Sequence, residues 1–424
     1  MESMKTRKIT VFCLLLIIVL ALVLRGLAFL EFKNHMNLQY DPRNYWLMSH
    51  QLVDDGIYGY FYDGNPFGGK PGVSNARVMP GYPVLLAIVY KIVGDKYLQI
   101  TAVRLIQIMM STASCFLGFY LVKRLFKKDG IALLTALFMA VYPTYIYSCI
   151  QLLTEVMALF TMLLYLCAVY HAMDSGKASH NIIAGILFGL HILVRPTILP
   201  LFVLPFIFAL ITNWINKGSS RNKFAFRRVC RLFILQLAGF VLIMLPWWIR
   251  NIVTLGSFII TAKASGNPLL GGTYPYFIDY FADVTDDIRG NNEKQMALGI
   301  KRIIEGFKND FWLYLKWFTI GKIEYTFQKP YLYNMHTHTN AHFISHFFIV
   351  ITGALGALWH SIKSLKGLWF YLYGLAILAL QLLFIPDPRF AYLIFFFIMA
   401  GAAHFISSVF ELITGKSKRG QAKA

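Results

Sequence analysis

The sequence predicts an all-α polytopic membrane protein with about ten transmembrane helices and two long extracytoplasmic loops. Three observations lead there. Hydrophobic residues fill 57% of the 424 positions and charged residues only 14%, a balance outside that of a water-soluble domain. Lys and Arg gather on alternate connections between the apolar stretches, as short cytoplasmic loops do. Two further connections, 31–97 and 250–342, are far longer than the rest, and long loops in a compact protein usually carry function.

The spans follow in order. Residues 9–30 come after Lys5, Arg7 and Lys8, which sets the N-terminus inside. Span 98–122 returns to Lys123, Arg124, Lys127 and Lys128, and 131–150 leads out to a turn near Glu155. Span 156–170 comes back to a loop holding Lys177. Spans 182–194 and 198–214 are joined outside at Arg195 and Pro196 and end in the most basic loop, with Lys217, Arg221, Lys223, Arg227, Arg228 and Arg231. Span 232–249 exits, 343–359 re-enters before Lys363 and Lys366, and 369–385 exits to the turn from Pro386 to Arg389. Span 390–413 returns to a tail with Lys416, Lys418, Arg419 and Lys423, so both termini are expected in the cytoplasm.

The inner loops hold most of the net charge of +20. Membrane insertion and anionic lipid account for it, and no nucleic-acid motif is present. The first span is longer than a signal-peptide core and lacks a small-residue cleavage site, so it is expected to be retained as part of a single domain over 1–424. Cys13, Cys115, Cys149 and Cys167 fall in spans and Cys230 in an inner loop, which leaves no pair for an outer disulfide and no CxxC metal site.

The first long loop carries Asp41, Asp54, Asp55 and Asp63, a Gly/Pro-rich stretch 56–81, and an apolar run 82–93 expected to lie as a helix at the outer interface. Tyr40-Asp41-Pro42-Arg43-Asn44-Tyr45-Trp46 reads as a helix start with Asp41 as N-cap and Pro42 in the first turn, its apolar face made by Tyr45, Met48 and Leu52. Asp41 is either that cap alone or a general base held at the membrane boundary. Asp54, Asp55 and Gly56 end the helix. The second long loop has a Gly-rich piece 265–276 and an aromatic, interfacial piece 311–327.

Other outer turns supply further groups. Glu155, following Tyr142-Pro143 and Thr154, is an isolated carboxylate in apolar sequence, costly in a membrane unless it functions or caps its helix. Arg195 and Arg250 stand at outer helix ends, where arginines either snorkel to lipid phosphates or grip a phosphate substrate. Asp387-Pro388-Arg389 repeats the tripeptide of the first loop and reads as a turn and boundary signal. His336, His338, His342 and His346 could line one face for a divalent metal, or serve as helix-start residues. No P-loop, GxGxxG or Asp-x-Asp pattern advertises a nucleotide.

In their order and shared sidedness, Asp41, the Met79-Pro80-Gly81-Tyr82-Pro83 element, Glu155 after Tyr142-Pro143, Leu193-Val194-Arg195-Pro196-Thr197, Pro246-Trp247-Trp248-Ile249-Arg250-Asn251 and the late Pro388-Arg389-Phe390 resemble the GT-C membrane glycosyltransferases. The branch is that of protein O-mannosyltransferases and lipid A aminoarabinose transferases. The resemblance implies transfer of a sugar, with inversion, from a polyprenyl-phosphate carrier to a glycan, lipid or protein acceptor on the outer face. It implies that Asp41 is the catalytic carboxylate, Glu155 a second acidic site residue, and Arg195 a basic one. Arg250, Asn251, Tyr45, Tyr82 and Arg389 complete the expected substrate-binding set. Pro42 stands where family members commonly have Glu, which weakens the case for a metal in the first loop. A transporter or flippase for lipid-linked or small substrates is the alternative, as is a polysaccharide polymerase or ligase. Arg25, Glu155 and Arg195 toward the outer third, and the lack of an internal repeat, favour the enzyme over a transporter.

Overall fold

The computed structural model describes residues 4–35, 38–59, 72–215 and 222–414, and among them there is no strand. Asp63, Lys217, Arg221 and the basic C-terminal tail lie outside the described residues. The helices are α1 (Met4–Phe32), α2 (Asp41–Asp54), α3 (Gly81–Val93), α4 (Lys96–Phe126), α5 (Asp129–Val141), α6 (Pro143–Tyr147), α7 (Glu155–Ser175), α8 (Ala178–Val194) and α9 (Leu204–Ile215). They continue with α10 (Asn222–Leu255), α11 (Gly266–Gly271), α12 (Asn292–Asn309), α13 (Phe311–Lys316), α14 (Lys322–Phe327), α15 (Asn340–Lys363), α16 (Leu365–Gln381) and α17 (Ile394–Ile413).

Among the described residues, seven stretches are long and apolar enough to cross a bilayer: Thr6–Phe32, Lys96–Phe126, Glu155–Ser175, Pro196–Ile215, Phe226–Leu255, Asn340–Lys363 and Ile394–Ile413. The expected span 131–150 is not one rod. Pro143 cannot donate a backbone N–H, and the chain bends by 59° between α5 and the following Pro143–Ile150. Counted as one broken span, this pair makes eight. The expected spans 182–194 and 369–385 correspond to α8 and α16, 17 residues each. At 1.5 Å per residue such helices reach about 26 Å, short of a hydrocarbon core of about 30 Å.

Small residues set the closest crossings. A Cβ on Gly185 of α8 would lie 1.9 Å from the Gln236 carbonyl oxygen of α10, and one on Gly239 would lie 2.1 Å from that of Ile182. Gly356 of α15 meets Gly401 of α17 in the same way, at 1.9 Å. Between apolar helices in lipid, such close backbone approach supplies the packing that a hydrophobic drive cannot.

Two arginines inside the bundle close helix ends. Arg25 donates from Nε to Ser111 Oγ (2.8 Å), from Nη1 to the carbonyls of Ala21 and Ala140 (3.1 Å each) and from Nη2 to Met139 O (3.0 Å). The last two of those carbonyls stand at the C-terminal end of α5, where the bend leaves no helical donor. Arg104 does the same for α1, reaching Phe32 O (3.2 Å), Lys33 O (3.3 Å) and His35 O (2.6 Å), and ties that end to Ile150 O (2.7 Å).

The bundle's two ends differ chemically. At one, Lys123 pairs with Asp129, Arg124 with Asp174 and Lys128 with Glu411, all in or next to the loops predicted to be inside. At the other, α2 and α3 pack on the start of α4, and α11 to α14 build a helical layer from the second long loop. The helix expected over 82–93 is α3, with Tyr82, Leu86 and Val89 buried and Ile88 and Ile92 exposed.

Candidate active site

Asp41 opens α2 as its first helical residue, and the N-cap position belongs to Tyr40, whose side chain makes no capping hydrogen bond. The expectation that Asp41 caps this helix is corrected on that point. Its carboxylate turns to a guanidinium instead: Arg389 Nη1 donates to Asp41 Oδ2 at 2.8 Å. Tyr40 sits at φ 52°, a region disfavoured for a residue with a side chain, so the helix entry is held in a strained conformation.

Arg389 is the hub. Its Nε donates to Glu155 Oε1 at 2.5 Å, and Arg195 Nη2 reaches the same oxygen at 3.3 Å. Four side chains from the first long loop, the start of α7, the end of α8 and the turn before α17 thus form one chain, Asp41–Arg389–Glu155–Arg195. Glu155 is wholly buried, the two arginines nearly so, and Asp41 remains 47% exposed. The cluster has a closed, charged floor and one carboxylate at its open edge.

Local sequence aims each group. Glu155 lies in the first turn of α7, where the helix dipole favours an acid. Arg195 takes extended backbone (φ −149°, ψ 115°) because Pro196 follows it. Asp387 accepts from the Arg389 backbone N–H at 2.8 Å, fixing the turn that starts the 3-10 segment Pro388–Ala391. The two Asp-Pro-Arg tripeptides therefore contribute opposite charges: the first gives its aspartate and the second its arginine. The turn expected at the second tripeptide is there in the Asp387 contact, and Arg389, named in the expected substrate-binding set, reaches the two carboxylates Asp41 and Glu155.

Burial pulls the Arg389 guanidinium toward its neutral form. The Glu155 and Asp41 carboxylates outweigh that and hold its pKa well above the ordinary arginine value, so it stays a cation. Burial first, and the Asp41 charge second, push the Tyr45 hydroxyl well above the usual phenol range, keeping it a neutral donor beside the cluster. Tyr45 stands edge-on to Tyr82, ring centres 5.3 Å apart. Tyr82 donates to Gln107 Oε1 (2.7 Å), whose amide nitrogen holds the carbonyls of Cys149 and Gln151 at 2.9 Å each.

The end of the second long loop closes on the same place. Gln151 Nε2 donates to Tyr333 O at 3.4 Å, and Tyr331 packs edge-on to Tyr333 at 4.7 Å. Burial, with the nearby Glu155 carboxylate, raises the Tyr333 hydroxyl far above its ordinary value. Glu155 Oε2, Asn44 Oδ1 and the Tyr333 hydroxyl are buried without a partner, polar atoms of the kind a substrate's hydroxyls satisfy. Neither tyrosine was singled out by sequence, because nothing local marks them.

Among the described residues, the hydrogen bonds of Arg250 and Asn251 go elsewhere than to this cluster. Arg250 Nη1 donates to Asn75 O (2.8 Å) and Asn251 Oδ1 (2.9 Å), and Nη2 to Tyr58 O (3.2 Å), with the guanidinium over the rings of Tyr58 and Trp247. Asn251 Nδ2 reaches Ile259 O at 3.4 Å. Both staple the first loop and the following turn to the end of α10.

Three histidines of the row are held by hydrogen bonds, and His336 Nε2 lies 3.4 Å from Glu31 Oε1. His346 uses one ring nitrogen with Tyr142 and the other with Phe327 O (2.8 Å each), His338 bonds Pro330 O (2.8 Å), and His342 forms a capping box with Thr339. Among the described residues no three His, Cys, Asp or Glu side chains converge on a metal site, and both site carboxylates are engaged by guanidinium.

Residues 75–252 match the family described as dolichyl-phosphate-mannose-protein mannosyltransferase. No curated protein matches the sequence. Among solved structures, the archaeal oligosaccharyltransferase AglB from Archaeoglobus fulgidus, in complex with an inhibitory peptide and a dolichol-phosphate, aligns with a TM-score of 0.56 at 17% identity, over 99% of this chain and 52% of that one. The A. fulgidus oligosaccharyltransferase in its apo form gives 0.58 at 17% identity, over 99% and 53%. The chain spans about half the length of these structures. At this identity they speak for the fold, and the family match covers the segment from the first loop to the end of α10. The resemblance drawn from the motifs is supported to this extent: the chain has the all-α fold of these oligosaccharyltransferase structures, and residues 75–252 are similar to the protein-mannosyltransferase family.

Proposed function

We propose that the protein is an inverting membrane glycosyltransferase that moves a sugar from a polyprenyl-phosphate donor to an acceptor hydroxyl on the extracytoplasmic face. The observation that carries this reading is the chain Asp41–Arg389–Glu155–Arg195, with its one half-exposed carboxylate. Asp41 accepts the acceptor's proton as its oxygen attacks the anomeric carbon in line. The bond from that carbon to the phosphate oxygen breaks, and polyprenyl phosphate leaves with the electron pair. Arg195, at the end of the chain of charges, contacts the phosphate and stabilises its growing charge. Arg389 is a positioning residue that holds Asp41 in place through their 2.8 Å hydrogen bond. Glu155 anchors both arginines through Oε1 and offers the unpartnered Oε2 to a hydroxyl of sugar or acceptor. The dolichol-phosphate bound by AglB and the name of the matching family support a lipid-phosphate donor. The placement of the basic loops supports the outer face as the side of reaction.

The test is transfer itself. Purified protein is incubated with radiolabelled polyprenyl-phosphate hexoses and pentoses and with cell-envelope acceptors, and label is expected to leave the lipid for one acceptor fraction. Label that stays on the lipid while the protein moves lipid-linked sugar between leaflets of a vesicle would assign the chain to the transporters.

A further inference from the structure

A second built feature lies at the other end of α7. A cavity of about 740 Å³ opens between α4, α7, α9, α10 and α16. Val169, on its wall, follows Glu155 by fourteen residues, about 21 Å along the helix, so the cavity is separate from the carboxylate cluster. Its body is apolar: Leu166 and Val169 face Phe208, which stacks on Trp369 at 4.3 Å. Its mouth is basic. Arg124, Arg228 and Lys366 stand there with a single acid, Asp174, which Arg124 already holds at 2.9 Å. Inside, Tyr373 is only 4% exposed and its hydroxyl has no partner.

These parts specify a ligand. Among the described residues Arg228, which donates from Nη2 to the Met173 carbonyl at 3.4 Å, and Lys366 form no ion pair with a carboxylate, and both are exposed at the mouth, which selects an anion. The apolar wall selects a hydrocarbon chain, and the buried phenol wants a hydrogen-bond acceptor. Basic pockets between transmembrane helices beside positively charged loops bind lipid phosphate head groups, and the volume lies in the usual range for small-ligand sites. We propose that this cavity binds an anionic phospholipid from the leaflet next to the basic loops, its phosphate between Arg228 and Lys366 and an acyl chain along Phe208 and Trp369. Phospholipid is favoured over polyprenyl phosphate because that leaflet surrounds the mouth with it. The inference stands independently of the transferase reading.

Native mass spectrometry of the detergent-solubilised full chain, titrated with dioleoylphosphatidylglycerol, dioleoylphosphatidylcholine or decaprenyl phosphate, tests it. Phosphatidylglycerol should bind with clear preference. The double variant Arg228→Ala/Lys366→Ala should weaken that binding about tenfold or more, and the charge-preserving Arg228→Lys/Lys366→Arg should retain it. Ala209→Trp, which fills the cavity, should abolish it. Unchanged phosphatidylglycerol binding in the double alanine variant overturns the proposal, as does equal binding of phosphatidylcholine. Preferential displacement by decaprenyl phosphate also overturns it, giving the site to the polyprenyl lipid.

Discussion

Among the described residues, the buried Arg25 and Arg104 and the largely buried Arg195 and Arg389 stand near helix ends, and they divide into two pairs. Arg25 and Arg104 spend their donors largely on backbone carbonyls. Arg195 and Arg389 spend theirs on carboxylates. A guanidinium ringed by carbonyls satisfies groups that helix geometry leaves open, and the result is a neutral-looking joint. A guanidinium between carboxylates keeps both signs of charge in a small volume that is desolvated on one side and open on the other. Only the second arrangement can meet a substrate that brings charge of its own. The positions of the four in sequence hardly differ, since each stands near one end of an apolar run, so it is the acceptor atoms that separate the two pairs.

The largest effect should come from Arg389→Ala, which breaks both halves of the site. It leaves Glu155 buried with Arg195 alone at 3.3 Å, and removing one partner of a buried ion pair costs about 3–5 kcal/mol. Thermal unfolding in detergent should register that loss, and turnover of the surviving folded protein should fall with it. Arg389→Lys should recover part of the stability but little of the turnover, since one ammonium cannot fork between two carboxylates. Wild-type stability and turnover in Arg389→Ala would dissolve the distinction drawn above.

Arg25→Ala probes the other pair. The carbonyls of Met139 and Ala140 and the Ser111 hydroxyl lose their donor, a loss of about 2–3 kcal/mol. Turnover and donor affinity, measured per folded molecule, should stay at the wild-type level. A folded Arg25→Ala protein with normal stability and crippled turnover would move Arg25 from brace to site.

Much of this was legible in sequence, for physical reasons that also explain the gaps. Spans declare themselves because each must bury its own backbone in hydrocarbon, and loops do so because lysine and arginine resist translocation. Glu155 stood out because a lone carboxylate in apolar sequence is costly, and Asp41 because a helix start follows the first span so closely. The bend after Val141 was signalled by Pro143, yet an unbroken span was expected there, since hydropathy averages across a kink. Arg389 lies 348 residues from Asp41, and its pairing depends on how α17 and its turn seat against α2 and α7. No local pattern encodes that. Arg104 was missed although an arginine inside a span deserves the scrutiny given to Glu155. At its helix end Arg250 reads in sequence either as snorkelling to lipid or as gripping a substrate phosphate, whereas carbonyls of the first loop occupy it.

Asp41→Asn is the next smaller perturbation, since it removes charge and proton affinity but little volume. The asparagine oxygen can still accept from Arg389, so folding should be close to normal. Turnover should fall by about 100-fold or more, the usual worth of a positioned base, with donor binding retained. A folded variant transferring sugar at more than about a tenth of the wild-type rate would exclude Asp41 as the base and make Glu155 the next residue to test.

The smallest expected effect belongs to Arg195, the outermost member of the charged chain. Its bond to Glu155 is the longest of the three, and Arg389 holds the same oxygen more closely, so losing Arg195 leaves Glu155 paired. Stability should therefore change little in Arg195→Lys and modestly in Arg195→Ala. Donor affinity should fall in the same order, by several-fold for lysine, which keeps the charge without the fork, and by about tenfold for alanine, which loses both. Isothermal titration with a polyprenyl-phosphate sugar separates that from any change in turnover. Equal donor affinity in all three proteins would place Arg195 with Arg25 and Arg104, as a support for its neighbours, and leave the phosphate to a group not yet named.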